Sequence, residues 1–361
     1  MAPRNSPGLA SRHVAERFPV DGGTATVRRR LRSLLQARPG RYDRVIFCDE
    51  EMIGAIARHL DEPWAAACFP VAPGPAAAMV SRKTAFIAAC QRAGIGIPES
   101  FVCQRPEEAL AAGERIGFPL LLKADFGASG TTVWRVDGSA ELIDALPRMA
   151  RRPFVVQALI VGEAGVTEML CVRGRAIAVV SSVMQGIEPM PFGTASSRLY
   201  RKNPEAEAIA VKLAALTGFH GLCGFDWMRS ALDGRTHALE FHARPTLGFH
   251  MARHAGVDFA KAIAATVGSS DSIAIEQPAD LARTCYFFPK DFTRVLAAAD
   301  VRGLLRWMSG RSINDLPWAD PGLLWALAAR FGRARLRWGI VSRPERFDQP
   351  ARLSTAFGDD L

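Results

Sequence analysis

The chain has 361 residues and a formal charge of +9, with 49% hydrophobic and 22% charged residues. At roughly 100–200 residues per domain this length suggests two or three domains, and the balance excludes a disordered chain. No apolar run reaches the roughly 18–20 residues of a membrane span, and Met1 to Ala10 lacks the apolar core of a secretion signal, so the expected location is the cytoplasm.

Residues 1–45 carry ten Arg against three acids, with helical periodicity only in the short basic stretch TVRRRLRSLLQ. RYDRVIFCDEE predicts a strand over Arg44 to Cys48, whose closing acids open a helix reaching about Leu60. Residues 61–80 are rich in Pro and Ala and read as a connector. SRKTAFIAACQRAG predicts a helix capped by Ser81 and stopped by Gly94. GIPESFVC is a turn and a strand, and PEEALAAGERIG a helix with Pro106 in its first turn and Gly117 after it. FPLLLKADFGASGTTVWRV reads as strand, glycine loop, strand, with a helix near 139–150 beyond it.

PFVVQALIVGEAGVTEMLCVRGRAIAVVSSV predicts a strand, a break at Gly162 to Gly165, and a hairpin turning at Arg173-Gly174. Residues 185–203 show no period and are expected to form a long loop, often a functional feature. NPEAEAIAVKLAALTG is a helix between the cap Asn203 and the stop Gly218. HGLCGFDWMRS and RTHALEFHARP form an antiparallel hairpin about Asp233-Gly234. Residues 254–267 are helical again, with His250 and His254 four apart at its start. The stretch 321–338, PGLLWALAARFGRARLRW, is basic and amphipathic. It reads as a helix docked on its own domain, or as a peripheral membrane contact.

The basic excess lies at the two ends, with ten Arg against six acids in 301–361, so the body is close to neutral. Arg and Ala richness matches a GC-rich genome, and no nucleic-acid partner is expected. Only six basic residues are Lys, which makes Lys83 and Lys123 informative. The seven cysteines form no CxxC pair and read as reduced, buried small hydrophobes.

The hairpin carries the sharpest chemistry. Asp226 falls opposite Glu240, while Glu240 and His242 share one face because side chains alternate with period two. Facing carboxylates repel unless a cation or proton lies between them, and a hard divalent ion is one answer. Arg244, on the same face, suits a phosphate or carboxylate. The same pattern also fits a solvated strand face with a Glu–Arg pair. Lys123 ends the apolar strand FPLLL just before the small residues GASG, whose amides can approach phosphate oxygens closely. A plain hairpin has the same signature, and this is no Walker loop, because the lysine precedes the glycines. VVQALIVGE is a strand whose unpaired end could present backbone groups to an adenine edge.

In this order the pieces resemble the ATP-grasp superfamily over residues 43–267: a helix with Lys83, AGIGIPES, FPLLLKADFGASGTTV, VVQALIVGE, GFDWM and LEFHARP. The resemblance implies an α/β fold with α+β lobes. An N-terminal pre-ATP-grasp-like lobe over 1–80 would lack a first strand and helix. An ATP-grasp domain would span 81–268, with subdomains at about 81–152 and 153–268, and a mostly helical extension 269–361. It further implies Lys83 and Lys123 on the ATP phosphates, and Gly127, Ser129 and Gly130 as a flexible lid. Gln157, Ala158 and Leu159 match the adenine hinge, Glu163 lies near the ribose acid, and Arg198 is a candidate phosphate cation. Asp226, Glu240 and His242 would hold the metal, Mg²⁺ or Mn²⁺, and Arg244 would sit near the acyl phosphate.

Three departures stand out. The hinge residue that is commonly Glu is Gln157. Glu163 comes one position early. The asparagine of E-x-N-x-R is His242, and an imidazole suits Mn²⁺ or Zn²⁺ better than Mg²⁺, so either the metal preference is altered or His242 only hydrogen-bonds and one metal position is weakened. The implied activity is ADP-forming, ATP-dependent joining of a small-molecule carboxylate to an amine or thiol, with Arg244 and Lys123 as catalytic groups and Glu168 a candidate base. A kinase or carboxylase-like phosphotransferase, or an ATP-binding protein with a decayed site, are the alternatives. The sequence sets no oligomeric state.

Overall fold

The computed structural model describes residues 1–127, 132–149, 153–188, 194–267, 274–309 and 312–338. Short strands β1 (Ala2–Pro3) and β2 (Pro19–Val20) come first, then helices α1 (Thr24–Ala37), α2 (Glu50–Ala57), α3 (Pro63–Cys68), α4 (Pro75–Ser81) and α5 (Lys83–Arg92). Next are β3 (Ser100–Cys103), α6 (Pro106–Ile116), β4 (Leu120–Ala124), β5 (Val133–Val136), α7 (Ser139–Ala145) and β6 (Phe154–Ala158). The longest strands follow: β7 (Gly162–Val172), β8 (Arg175–Glu188) and β9 (Thr194–Tyr200). Then come α8 (Pro204–Thr217), β10 (Gly221–Ser230), β11 (Thr236–His242), a 3₁₀ segment (Phe249–Ala255) and α9 (Phe259–Thr266). The remainder holds β12 (Ile275–Glu276), β13 (Arg283–Tyr286), α10 (Lys290–Ala297), α11 (Val301–Met308), β14 (Ile313–Asn314) and α12 (Pro321–Trp338).

Two compact units result. The larger takes in Met1 and Val20–Leu316. It holds a four-stranded sheet in the order β3-β6-β4-β5 and a larger sheet in the order β11-β10-β7-β8-β9-β13-β14, with β12 on β8. Leu120, Leu122, Phe154 and Val156 face α6 and α7 from the small sheet and form one core. The apolar face of α8 (Ile209, Leu213) packs with Phe225 and Trp227 of the large sheet and with α2 and α5 in another. The smaller unit takes in Ala2–Pro19 and the chain from Pro317. There the Ser11 hydroxyl donates to the Asp320 carboxylate, which also caps α12 at Leu323 N–H.

Most of the expected elements form, and the differences have physical causes. Arg44 to Cys48 is not a strand: among the described residues no neighbour pairs with it, although Phe47 is buried against Phe69. Residues 61–80 are two short helices rather than a connector, each opened by Pro in its first turn. Ser81 closes α4, its hydroxyl donating to Ala77 O at 2.7 Å, and does not cap α5. Residues 185–203 are not one loop. β8 runs on to Glu188 and β9 starts at Thr194, with Ser181, Ser182, Ser196 and Ser197 buried in a sheet covered on both faces. Those buried serines hide the alternation. Gly162 to Gly165 do not break the chain but begin β7. At both glycines a Cβ would collide with β10, at Gly162 with the Arg229 carbonyl and at Gly165 with the Trp227 ring.

Candidate active site

Lys83 is the first residue of α5, and its place is set by Asp125 in the turn after β4. The Lys83 N–H donates to Asp125 O (3.1 Å). Thr84 donates from N and Oγ1 to Asp125 Oδ1 at 2.9 and 2.6 Å. Arg82 pairs with Asp125 Oδ2 at 2.8 Å. A carboxylate from elsewhere in the chain thus takes the capping part that Ser81 was expected to play, and its charge suits a helix N-terminus. So held, Lys83 Nζ lies 2.7 Å from Glu240 Oε1 and donates to Gly127 O at 2.8 Å.

Lys123 stands on β4 of the small sheet and is 8% exposed. Burial pushes its ammonium down to about 8, with Lys83 adding to the effect and Glu240 and Asp226 opposing it. On the large sheet Asp226 and Glu240 are register partners between β10 and β11, as the hairpin predicts. Glu240 thus pairs with Lys83 of α5 and lies within the electrostatic reach of Lys123 on β4.

The rest of the β11 face is wired to α2. His242 Nε2 lies 3.0 Å from Asp226 Oδ1, and its Nδ1 lies 3.4 Å from Glu50 Oε1. Burial would lower the His242 pKa, but Asp226 and Glu50 outweigh it and carry the imidazolium up to about 10. Arg244 Nε pairs with Glu50 at 2.8 Å. Burial tends to raise Glu50, yet His242, Arg244 and Lys83 together hold it below the usual carboxylate range. Asp226 is likewise lowered, burial being outweighed by His242, Arg198 and Arg244. Sequence reasoning missed Glu50 and Asp125. The acidic run DEE, at a helix start inside the resembling region, was the available signal for Glu50.

Other expected site residues are placed as follows. Gln157 is buried, donating from Nε2 to Ser100 Oγ at 2.8 Å, so its side chain points into the small sheet. Ala158 N donates to Glu99 O, and Leu159 lies just past β6. Glu163 pairs with Arg201. Arg198 is buried, with Nη1 3.0 Å from Glu168 Oε1 and 3.2 Å from Thr246 Oγ1. Glu168 also accepts from the Thr246 hydroxyl. His250 and His254 sit in the 3₁₀ segment Phe249–Ala255, where burial and Arg253 push His250 down to about 4. Gly127 borders the Lys83 contact, whereas Ser129 and Gly130 lie outside the described residues.

Among the described residues no group of three or more His, Cys, Asp or Glu forms a ready-made metal cage. The donor set nonetheless fits a hard cation. Asp226 and Glu240 each engage one oxygen, with His242 and Lys83 respectively. Their other oxygens have no bonding partner among the described residues. Two open carboxylate oxygens from facing strands suit Mg²⁺ or Mn²⁺. An imidazolium has no lone pair, so His242 joins only after losing its proton. Among the described residues no helix is long and apolar enough to cross a membrane.

No family model matches the chain. A carbamoyl phosphate synthase large chain from Deinococcus deserti is 25% identical over 184 residues, 45% of this chain and 17% of that one. The chain thus matches a small share of that relative's length. Among solved structures, N5-carboxyaminoimidazole synthetase from Staphylococcus aureus with ADP superposes with a TM-score of 0.61 at 14% identity, over 78% of this chain and 73% of that one. The biotin carboxylase domain of a 2-oxoglutarate carboxylase from Hydrogenobacter thermophilus, with MgADP and bicarbonate, gives 0.58 at 17% identity, over 74% and 64%. L-amino acid ligase from Bacillus licheniformis gives 0.52 at 18% identity, over 69% and 65%. The protein has the ATP-grasp fold, as the order of its motifs implied.

Proposed function

We propose that the protein is an ADP-forming ligase that joins a small-molecule carboxylate to an amine through an acyl phosphate, using ATP and Mg²⁺ or Mn²⁺. The observation that carries this reading is the ion pair of Lys83 with Glu240, which stands opposite Asp226 and within the electrostatic reach of the buried Lys123. The solved neighbours with ADP or MgADP, and the amino acid ligase among them, support it. In this reading residues 1–80, 81–268 and 269–361 are the N-terminal lobe, the nucleotide-binding domain and an extension.

Phosphoryl transfer needs positioning and charge neutralisation more than covalent help. Lys83 and Lys123 neutralise the phosphate tail. Gln157, Ala158 and Leu159 border the adenine, Glu163 the ribose, and the loop from Gly127 through Ser129 and Gly130 covers the phosphates. Arg198, fixed by Glu168, adds positive charge beneath Asp226. Asp226 and Glu240, with His242 once deprotonated, would hold the divalent ion, which would supply Lewis-acid charge to the phosphates. A substrate carboxylate oxygen takes the γ-phosphoryl group and ADP leaves. Arg244, oriented by Glu50, holds the acyl phosphate. The amine nitrogen then attacks the carbonyl carbon, phosphate departs, and the nitrogen gives up a proton.

The test is phosphate release over a panel of acids and amines, with bicarbonate as one acid. Lys123→Ala and Glu240→Ala should each abolish turnover while leaving the circular dichroism spectrum unchanged. Turnover retained in either variant overturns the assignment. ADP release without an amine would instead indicate a kinase.

A further inference from the structure

Gly54 is the fifth of the eight residues of α2, and its neighbours Ile53 and Ala55 are buried. A glycine inside a helix is unfavourable relative to alanine, so its presence there calls for a reason in packing. The reason is Phe126. A Cβ on Gly54 would stand 2.9 Å from Cε2 and 3.2 Å from Cζ of that ring, inside van der Waals contact. The bare backbone of α2 is thus a seat for the edge of the ring, although Phe126 as a whole is 46% exposed.

Phe126 stands between the two residues that hold Lys83. On one side Asp125 accepts from the Lys83 N–H at 3.1 Å and from Thr84 at 2.9 and 2.6 Å. On the other, Gly127 O accepts from Lys83 Nζ at 2.8 Å. Gly127 has a φ of +149°, a region where glycine has wide freedom, so the turn does not by itself fix that carbonyl. An anchor from outside the turn is needed, and the Phe126 ring on α2 supplies one. Phe126, Gly127, Lys83, Glu240 and Glu50 all border one small cavity of about 20 Å³. Glu50 lies one helical turn before Gly54, on the same face of α2, and pairs with Arg244 at 2.8 Å.

We infer that Phe126 is a positioning residue for Lys83. Docked on Gly54, its ring holds the turn from Asp125 to Gly127 so that the Gly127 carbonyl keeps the Lys83 ammonium beside Glu240. Through Gly54 and Glu50, one face of α2 then sets the spacing between Lys83 and Arg244. The inference rests on the proposed ligase reading, in which Lys83 meets the phosphate tail and Arg244 the acyl phosphate. It adds to that reading the contact that aligns the two.

The test is titration calorimetry of the full chain with MgADP, with urea denaturation to show that each variant is folded under the assay conditions. The parent should bind. Phe126→Ala and Gly54→Ala should each weaken MgADP by about threefold or more, since a misplaced group loses its interaction steeply with distance. A loss of stability alone does not change the affinity of the folded protein. Leucine ends where the Cδ carbons of the ring stand, and Cδ2 lies 3.9 Å from a Cβ on Gly54, an ordinary contact. Adding Phe126→Leu to Gly54→Ala should therefore bring the affinity back to within about twofold of the parent. Adding Phe126→Ala to Lys83→Ala should change the remaining affinity by less than about twofold, because the group it positions is gone. Absence of MgADP binding in the parent overturns the ligase reading and this inference with it. Binding in the parent that is unchanged in both single variants overturns this inference alone, and so does failure of the rescue. An equal loss on Phe126→Ala in the parent and in Lys83→Ala overturns it too, because Phe126 would then not act through Lys83.

Discussion

The His242 imidazole bridges two carboxylates from distant parts of the chain, Asp226 at 3.0 Å and Glu50 at 3.4 Å. Both carboxylates favour the charged form of the ring. The folded pKa of about 10 lies above the unfolded value of about 6.5. The contribution to stability is therefore fully present below about pH 6.5 and is lost as pH rises through about 10. Urea denaturation at pH 6 and pH 10 should show a smaller drop in His242→Asn than in the parent. An equal drop in both would mean that the ring is not charged in the folded state. The same substitution should move the metal preference toward Mg²⁺, since an amide oxygen is the harder donor. An unchanged ratio of Mg²⁺ to Mn²⁺ activity would remove His242 from the metal shell.

Lys123 moves the other way, and its sign gives a second test. Below about pH 8 the buried ammonium is charged and attracts phosphates, and above it the amine is neutral. Affinity for ADP with Mg²⁺ should fall as pH rises through 8, by up to about tenfold per unit, and binding above pH 8 should take up a proton. Titration calorimetry in buffers of different ionisation enthalpy reads both effects. Lys123→Arg should flatten the profile while retaining measurable binding. A pH-independent affinity in the parent would mean that Lys123 does not face the phosphates.

The parts of this site that were readable in sequence are those fixed by local rules. The Asp226–Glu240 register follows from the turn at Asp233-Gly234 and period-two alternation. The helix Pro204–Thr217 follows from Asn203 and Gly218 at its ends. Lys83 and Lys123 stood out because lysine is scarce in this chain. What escaped is non-local. Glu50 reaches His242 across 192 positions and Asp125 reaches Thr84 across 41, and no spacing rule couples such residues. The segment Arg44 to Cys48 has the composition of a strand, but a strand also needs a partner, and none pairs with it among the described residues.

Asp125 acts on chemistry only through Lys83, and two substitutions separate that part from simple stability. Asp125→Ala leaves the Thr84 N–H and hydroxyl without their acceptor and should cost about 1–3 kcal/mol in urea denaturation. It should also weaken nucleotide binding, because the first turn of α5 no longer fixes the Lys83 ammonium. Asp125→Asn keeps an acceptor oxygen and should recover most of the binding and part of the stability. Equal nucleotide affinity in the parent and Asp125→Ala would confine the residue to a structural part.

The two glycines at the start of β7 should respond differently to the same substitution, because each meets a different obstacle. At Gly162 a Cβ runs into the Arg229 backbone carbonyl, which belongs to the paired strand and can yield only if the strands separate. At Gly165 it runs into the Trp227 ring, a side chain that a smaller residue could replace. Each substitution to Ala should cost about 1–3 kcal/mol alone by overpacking. Trp227→Leu is itself destabilising, since it empties buried volume and frees the Thr167 hydroxyl that the indole engages at 3.1 Å. Combined with Gly165→Ala, however, it should cost less than the two changes summed, whereas combined with Gly162→Ala the costs should add. Urea denaturation of the three single and two double variants, read as two cycles, checks this. Additive costs in the Gly165 cycle would mean that the ring is not what excludes a side chain there.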